Sequence, residues 1–215
     1  KLISRLRDKQ PQLMVVYDPV GSASVGGRFN ELTIQQRMKL VAAVDVVIPN
    51  LLEAQQLAEL PSETDVESLA LAIQAITKNT VIVKGGHLSG SHCHDFGLHQ
   101  LADGENISYQ LTSDKIATSY SHGGGCSFAM AIASNLAHGH LIRDAFTLTK
   151  AFINQGLVTN KDKVDYYGAF EQSLVVVEKR FFPQVSDEIN QKYQALPPFN
   201  SLDLPRGGET KLGLY

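Results

Sequence analysis

The chain has 215 residues, of which 43% are apolar and 19% charged, so it can bury a globular core of ordinary size. Its formal net charge of -3 at pH 7 gives no reason to expect a nucleic-acid partner. No apolar run approaches the ~20 residues of a membrane span, and two cysteines make no disulfide framework, so we expect a cytoplasmic protein without a membrane partner.

The first half of the chain alternates short apolar runs with segments of helical spacing. The runs are rich in β-branched residues and are followed by turn-forming residues, which predicts buried strands. Thr33 and Ser62 precede two of the helical segments and are predicted to cap them. Apolar strands separated by helices predict an α/β fold with a mostly parallel sheet flanked by helices. The predicted strands span residues 13–17, 46–48 and 80–83, and the predicted helices span residues 34–41, 52–60 and 66–76.

The second half of the chain has a different pattern of apolar and polar residues. Apolar and polar residues alternate at 96–98 and at 107–111 on either side of Asp103-Gly104, which predicts an antiparallel hairpin at a sheet edge. Two helices are predicted beyond it, one rich in small residues and ending at Gly139, the other starting near Leu141. From about residue 159 the pattern weakens into a stretch with prolines and glycines, which is typical of a linker.

The glycine run Gly123-Gly124-Gly125-Cys126 directly precedes a predicted helix. Glycines let the backbone approach a ligand closely, and a helix N-terminus carries about half a positive charge. Such a loop can hold phosphate oxygens and the charge of a phosphoryl-transfer transition state. The same field favours the thiolate of Cys126, which could then act as a general base towards a substrate hydroxyl. The alternative is a tight turn that needs glycine for packing alone.

Polar residues follow each of the three predicted parallel strands. Asp18 follows the first strand, Asn50 and Glu53 follow the second, and Lys84 ends the third. Ligands bind at the carboxyl ends of strands in open α/β sheets, so these residues and the glycine loop are expected to converge at one edge. Oxygen ligands of this kind suit Mg²⁺, and a lysine there can pair with nucleotide phosphates. The structural alternatives are a helix cap for Asn50, a first-turn charge for Glu53 and a solvated strand end for Lys84.

Histidine and cysteine also cluster elsewhere in the chain. The spacing His92-Cys93-His94 matches no structural zinc pattern, so we expect an exposed loop near His87 and His99 rather than a metal site. The pair His122 and Cys126 has the spacing of a Cys–His nucleophile, but nothing else in the chain supports a hydrolase.

Four motifs together resemble the hydroxymethylpyrimidine/phosphomethylpyrimidine kinases of thiamine biosynthesis, in the ribokinase-like superfamily. They cover about residues 13–158 and occur in the order seen in that family. The motifs are Asp18-Pro19-Val20, Ile48-Pro49-Asn50-Leu51-Leu52-Glu53-Ala54, Lys84-Gly85-Gly86-His87-Leu88 and His122-Gly123-Gly124-Gly125-Cys126. The resemblance implies a ribokinase-like sheet and ATP- and Mg²⁺-dependent phosphorylation of a hydroxymethylpyrimidine and of its monophosphate.

The resemblance also implies roles for individual residues. Cys126 is expected to be the catalytic base, with Gly123, Gly124 and Gly125 forming the anion hole beside it. Lys84 is expected to contact ATP phosphates, and Val20 to lie near the pyrimidine. Asp18, Asn50 and Glu53 are expected to organise Mg²⁺ and its waters, the last two also next to ATP.

The chain departs from the family pattern at two places. Position 124 holds glycine where the family usually has threonine, so a hydroxyl that could contact phosphate is missing. The glycine-rich amino-terminal part of the family is also missing, so residues 1–158 are expected to be the carboxyl-terminal part of a kinase domain. Residues 159–215 are expected to be an extension towards a fused thiamine-phosphate synthase, because residues 208–215 resemble the start of that domain. The family often forms homodimers.

Two alternative functions remain open from the sequence. The first is a related kinase acting on pyridoxal or another vitamin alcohol. The second is a non-catalytic module that supports a fused synthase, and Gly124 is the feature that favours it.

Overall fold

The apolar runs in the first half of the chain form short parallel strands that alternate with helices. The computed structural model describes residues 2–21, 32–86, 90–101, 103–118, 123–160 and 178–185. The chain divides into two units, Lys1–Gln110 and Leu111–Tyr215. The elements of the first unit are α1 (Leu2–Lys9), β1 (Val16–Tyr17), α2 (Ile34–Val41), β2 (Val46–Val47), α3 (Leu51–Ala58), α4 (Val66–Thr77), β3 (Thr80–Val83) and β4 (His92–Gln100), followed by β5 (Asn106–Asp114), which continues into the second unit.

The sheet of the first unit is mixed. Strand β1 pairs with β2 and β2 with β3, both in parallel. Strand β4 then pairs antiparallel with β3 in a register that sets Val83 opposite Phe96, and β5 follows β4 in the sheet. The predicted hairpin is therefore present, but its predicted place at the sheet edge is wrong, because Leu111 and Thr112 of β5 pair with β6 (Gln184–Val185).

The helices of the first unit begin at residues that satisfy their free N–H groups. Thr33 caps α2 and Asn50 caps α3, each in a reciprocal capping box with the residue three positions on. The predicted cap of α4, Ser62, is wrong. Asp65 takes this role and accepts the Ser68 N–H at 2.9 Å, because it immediately precedes the first helical residue.

Two segments of the first unit differ from the sequence predictions. Helix α1 was not predicted; its Arg7 pairs with Asp45 at 2.7 Å, and Asp45 also accepts the Val15 N–H. His92, Cys93 and His94 begin β4 rather than an exposed loop, and Cys93 is buried. Successive side chains of a strand point to opposite faces of the sheet, so Cys93 lies on the same face of β4 as Asp95, to which it hydrogen-bonds.

Apolar side chains of three helices and three strands form the core of the first unit. Helix α4 contributes most to it, because its buried positions recur at helical spacing along one face. Fully buried members include Val41, Val47, Leu69, Ile73, Val81 and Val83.

The second unit is built on two long helices, α5 (Gly124–Ala137) and α6 (Ile142–Asn160). Phe128 of α5 meets Phe146 of α6 edge to face, with ring centroids 6.0 Å apart. A 3-10 helix (Lys179–Phe181) leads into β6, and buried Phe181 packs on Ala151 of α6. Among the described residues, no helix is long and apolar enough to span a membrane.

Candidate functional site

An ion pair joins the ends of β1 and β3 in the first unit. Lys84 Nζ lies 3.0 Å from Asp18 Oδ1, and the two side chains are only 15% and 13% exposed. The backbone of Lys84 is fixed as well, because its N–H donates to the Pro49 carbonyl and the residue forms a parallel bridge with Asn50. The sequence motifs after three separate strands therefore meet at one edge of the sheet, as the sequence predicted.

Glu53 belongs to the same cluster through the capping box of α3. Its Oε2 accepts the Asn50 N–H at 2.8 Å, and Asn50 Oδ1 accepts the Glu53 N–H at 2.9 Å. The other carboxylate oxygen faces the Gly21 N–H at 3.4 Å. The helix cap proposed as a purely structural alternative for Asn50 is thus present, and it also fixes the carboxylate of Glu53 beside the ion pair.

Burial and neighbouring charges set the protonation behaviour of this cluster. Burial raises the pKa of Glu53, the Asn50 amide and the Lys84 ammonium oppose the rise, and the Asp18 carboxylate adds to it. Burial also raises the pKa of Tyr17. The charge of Arg37 lowers this pKa, whereas the charges of Glu53 and Asp18 raise it. These directions are the ones expected of ionisable groups held close together where burial limits their hydration.

The turn after Asp18 brings two further residues to the cluster. Val20 lies in this turn, and its N–H donates to the Asp18 carbonyl at 2.9 Å. A Cβ on Gly21 would come within 3.2 Å of the Arg37 guanidinium, which also donates to Gln56 at 3.3 Å. Sequence reasoning missed Gly21 and Arg37 because the contact joins a loop to helix α2, and no local spacing signals it.

A buried carboxylate lies behind the turn that carries Lys84. Asp95 of β4 is 2% exposed, and its Oδ1 accepts the Gly85 N–H at 2.8 Å. The Cys93 thiol donates to the same oxygen at 3.4 Å. This residue was also missed, although an acidic residue between Cys93 and Phe96 in a half-buried strand is a detectable signal.

The remaining predicted site residues belong to the second unit. Gly123 is the N-cap of α5 with φ 81°, a left-handed conformation that favours glycine, and it offers no side-chain cap. Gly124, Gly125 and Cys126 form the first turn of the helix, and the Cys126 side chain is exposed. His122, together with His87 and Leu88 of the lysine motif, lies outside the described residues.

The oxygen ligands of the first unit fit a hard divalent cation. Asp18 and Glu53 could supply carboxylates to such an ion, and Asn50 could supply an amide oxygen. In the part of the chain that the structure describes, no three His, Cys, Asp or Glu side chains group into a metal site. A bound Mg²⁺ would therefore complete its shell with water and nucleotide oxygens, as this ion usually does.

Fold and site together define an α/β protein with a charged cluster at the carboxyl ends of parallel strands, where open sheets of this kind bind ligands. The family model described as phosphomethylpyrimidine kinase matches residues 1–169. The chain therefore belongs to the phosphomethylpyrimidine kinase family, which confirms the resemblance found in the sequence.

The names of individual relatives refer to two kinds of substrate. The pyridoxine kinase of Bacillus subtilis is 32% identical over 171 residues, which is 77% of this chain and 62% of that protein. The hydroxymethylpyrimidine/phosphomethylpyrimidine kinase of Haemophilus influenzae is 33% identical over 159 residues, 71% of this chain and 57% of that protein. The pyridoxal kinase from Staphylococcus aureus in complex with ADP superimposes with a TM-score of 0.67 at 28% identity, covering 86% of this chain and 68% of that one. This likeness confirms the ribokinase-like sheet flanked by helices.

Relatives also differ in their domain content. The thiamine biosynthesis bifunctional protein ThiED of Geobacter sulfurreducens is 32% identical over 150 residues, which cover 67% of this chain and 29% of that protein. The chain spans about half the length of the curated relatives it matches, with 46% to 62% coverage of three of them.

Proposed function

We propose that the protein containing this chain transfers the γ-phosphoryl group of ATP to the hydroxymethyl group of a hydroxymethylpyrimidine and then to its monophosphate. The observation that carries the proposal is the cluster of Lys84, Asp18 and Glu53 at the carboxyl edge of the parallel strands. A cation beside two carboxylates is what binding of a metal–nucleotide complex requires. Family membership and the ADP complex of a similar kinase support the same reaction.

The proposed roles follow the motifs. Lys84 binds ATP phosphates, and its ammonium leaves Asp18 when they arrive. Asn50 and Glu53 face the nucleotide and, with Asp18, hold Mg²⁺, which neutralises charge on the phosphates. Val20 lies next to the pyrimidine.

The roles proposed for the second unit rest on the family motif and on the start of α5. Gly123, Gly124 and Gly125 present backbone N–H groups as an anion hole, because no side chain caps this helix. The exposed sulfur of Cys126 takes the proton of the substrate hydroxyl. The alkoxide oxygen then bonds to the γ-phosphorus as the bond to the β–γ bridging oxygen breaks, and ADP leaves with that electron pair.

A second candidate is phosphorylation of pyridoxal or pyridoxine by the same residues. The pyridoxine kinase of Bacillus subtilis and the pyridoxal kinase of Staphylococcus aureus favour it, because they are as similar to this chain as the pyrimidine kinase is. Both substrates carry a hydroxymethyl group on a flat heteroaromatic ring.

We also propose the domain arrangement that the motifs imply. Residues 1–158 belong to the kinase domain, and the chain beyond leads to a fused synthase, because residues 208–215 resemble the start of that domain. The Geobacter sulfurreducens relative, named a bifunctional protein, supports a fusion. Residues 178–185 pair and pack within the second unit, so the linker role proposed for 159–215 does not apply to them. A homodimer remains part of the proposal on the resemblance alone.

The complete protein is to be assayed for ADP release with Mg²⁺ and three acceptors, namely hydroxymethylpyrimidine, its monophosphate and pyridoxal. We expect both pyrimidines to be phosphorylated with kcat/KM at least about tenfold above that for pyridoxal, which is about 1.4 kcal/mol of discrimination. The reverse order would establish the second candidate. If none of the acceptors is phosphorylated although ADP binds, the proposed activity is wrong and a non-catalytic role is favoured.

A further inference from the structure

The hydrogen-bond ladder between β3 and β4 ends just before the turn that carries Lys84. Backbone pairing runs through Val83 opposite Phe96. Beyond that pair, a side chain replaces the backbone acceptor: Asp95 Oδ1 accepts the N–H of Gly85 at 2.8 Å. The carboxylate therefore extends the attachment of β4 to β3 into the Lys84-Gly85-Gly86 turn.

The burial of this carboxylate costs free energy that a specific interaction must offset. Asp95 is 2% exposed, and a buried carboxylate is unfavourable unless hydrogen bonds compensate for lost water. The Cys93 thiol donates to the same oxygen at 3.4 Å and thereby helps to orient it towards Gly85. A Cβ on Gly86 would lie 3.9 Å from the Cys93 sulfur. Side chains of β4 therefore lie next to the turn at both Gly85 and Gly86.

The turn itself has little intrinsic rigidity. Two glycines follow Lys84, and glycine loses more conformational freedom on ordering than any other residue. On the sheet side, Lys84 donates its N–H to the Pro49 carbonyl. Asp95 holds the other side, so the backbone on both sides of Lys84 is fixed before any ligand arrives.

We propose that Asp95 is a positioning residue for nucleotide binding, which acts through the Gly85 N–H to hold the Lys84 ammonium where it meets ATP phosphates. The inference rests on the proposed function for the role of Lys84. Asp95 touches no reacting atom in this scheme. Its effect is confined to the phosphate end of the nucleotide, so the acceptor alcohol binds equally well without it.

The test is a double-mutant cycle on ADP affinity, measured by titration calorimetry with the complete protein. Asp95→Ala is made in the unmodified protein and in the Lys84→Met variant. We expect about a tenfold loss of ADP affinity in the first background, the size of one hydrogen bond to a charged group. In the Lys84→Met background we expect less than about a twofold change, because the group that Asp95 positions is gone.

Asp95→Asn serves as the conservative variant. Its amide oxygen can still accept the Gly85 N–H, though without charge, so we expect only about a threefold loss of affinity. If Asp95→Ala does not fold, Asp95→Asn carries the same cycle with that smaller loss. Asp45→Asn is the matched control, because Asp45 also accepts a backbone N–H of a neighbouring segment, that of Val15 at 2.6 Å, but precedes β2. It should lower the melting temperature and leave ADP affinity unchanged.

Three results would overturn the inference. They are unchanged ADP affinity in the Asp95 variants, an equal loss in both backgrounds, and a parallel rise in KM for ATP and for the alcohol. ADP binding without phosphorylation of any alcohol would overturn the proposed activity. The double-mutant cycle on Asp95 would still test the inference, because it measures ADP affinity alone. If the unmodified protein binds no ADP, both proposals are wrong.

Discussion

Cys126 lies in the first turn of α5, three residues beyond a glycine N-cap, and its side chain is exposed. If it is the general base, Cys126→Ala should lower kcat by about 10²- to 10⁴-fold, the range for loss of a positioned base. ADP affinity should stay within about twofold, because the thiol acts on the alcohol rather than on the nucleotide. Ser127→Ala, one position further along the helix, is the matched control. Unchanged turnover of Cys126→Ala would exclude the base role.

Most residues of the first-unit cluster could be predicted from sequence because they lie at or shortly after the end of a strand. Asp18, Asn50 and Lys84 need only the rule that parallel strands end at one edge. Arg37 and Asp95 could not be predicted in the same way. Arg37 belongs to helix α2, whereas Gly21 lies in the turn after Asp18. Asp95 of β4 meets Gly85 beyond the end of β3. Both contacts therefore form only after tertiary packing.

Among the elements, the bounds of helices α2, α3 and α4 were easier to predict than strand lengths, whereas α1 was missed. The cap Thr33 is recognisable because a short polar side chain precedes an apolar periodic segment, and the same signal made a helix cap the structural alternative for Asn50. Strand β1 was predicted over residues 13–17 but spans Val16–Tyr17, since apolar content does not report where pairing starts. Strand β4 was underpredicted, because its first residues, His92 to His94, carry polar side chains although Cys93 is buried.

The β3–β4 pair also carries a pH-dependent element. Thr80 Oγ1 and His99 Nδ1 lie 2.8 Å apart across the two strands, and burial lowers the pKa of His99. The unfolded chain therefore takes up a proton at about pH 6.5, the ordinary histidine value, while folded His99 still resists it. Stability is fully present above that pH and is lost as the pH falls through the lower pKa of the folded state.

We expect His99→Gln to flatten the fall of the melting temperature between about pH 7.5 and 5, because the titrating ring is gone. His138→Gln is the control, since His138 is an exposed residue at the end of α5, and it should leave the slope unchanged. Thermal unfolding at several pH values measures both variants. An identical slope in His99→Gln and the unmodified protein would show that other groups cause the acid sensitivity.

At the scale of the whole molecule, described structure is present beyond the end of the family match. The family model reaches residue 169, whereas the second unit includes the 3-10 helix and β6 beyond it. Asn154 of α6 donates to the Phe181 carbonyl at 3.1 Å, and Gln155 accepts the Glu178 N–H at 2.9 Å. Weak hydrophobic periodicity gives no sequence signal for this segment. Its attachment depends on hydrogen bonds from its backbone to side chains of α6 and on one aromatic side chain.

The linker role proposed for the chain beyond residue 185 can be tested with two apolar-to-alanine substitutions. Phe181 is 8% exposed and packs against Ala151, with Phe152 and Val158 beside the pair. Phe181→Ala should therefore cost about 3 kcal/mol of unfolding free energy, the lower end for burial of a phenylalanine in a core. This corresponds to a melting temperature lower by roughly 6 to 12 °C for a chain of this size. Leu204→Ala, within the proposed linker, should leave the melting temperature unchanged, because a linker side chain contributes nothing to the core. Equal destabilisation by both substitutions would place the end of the folded region beyond residue 204 and remove the linker from the proposal.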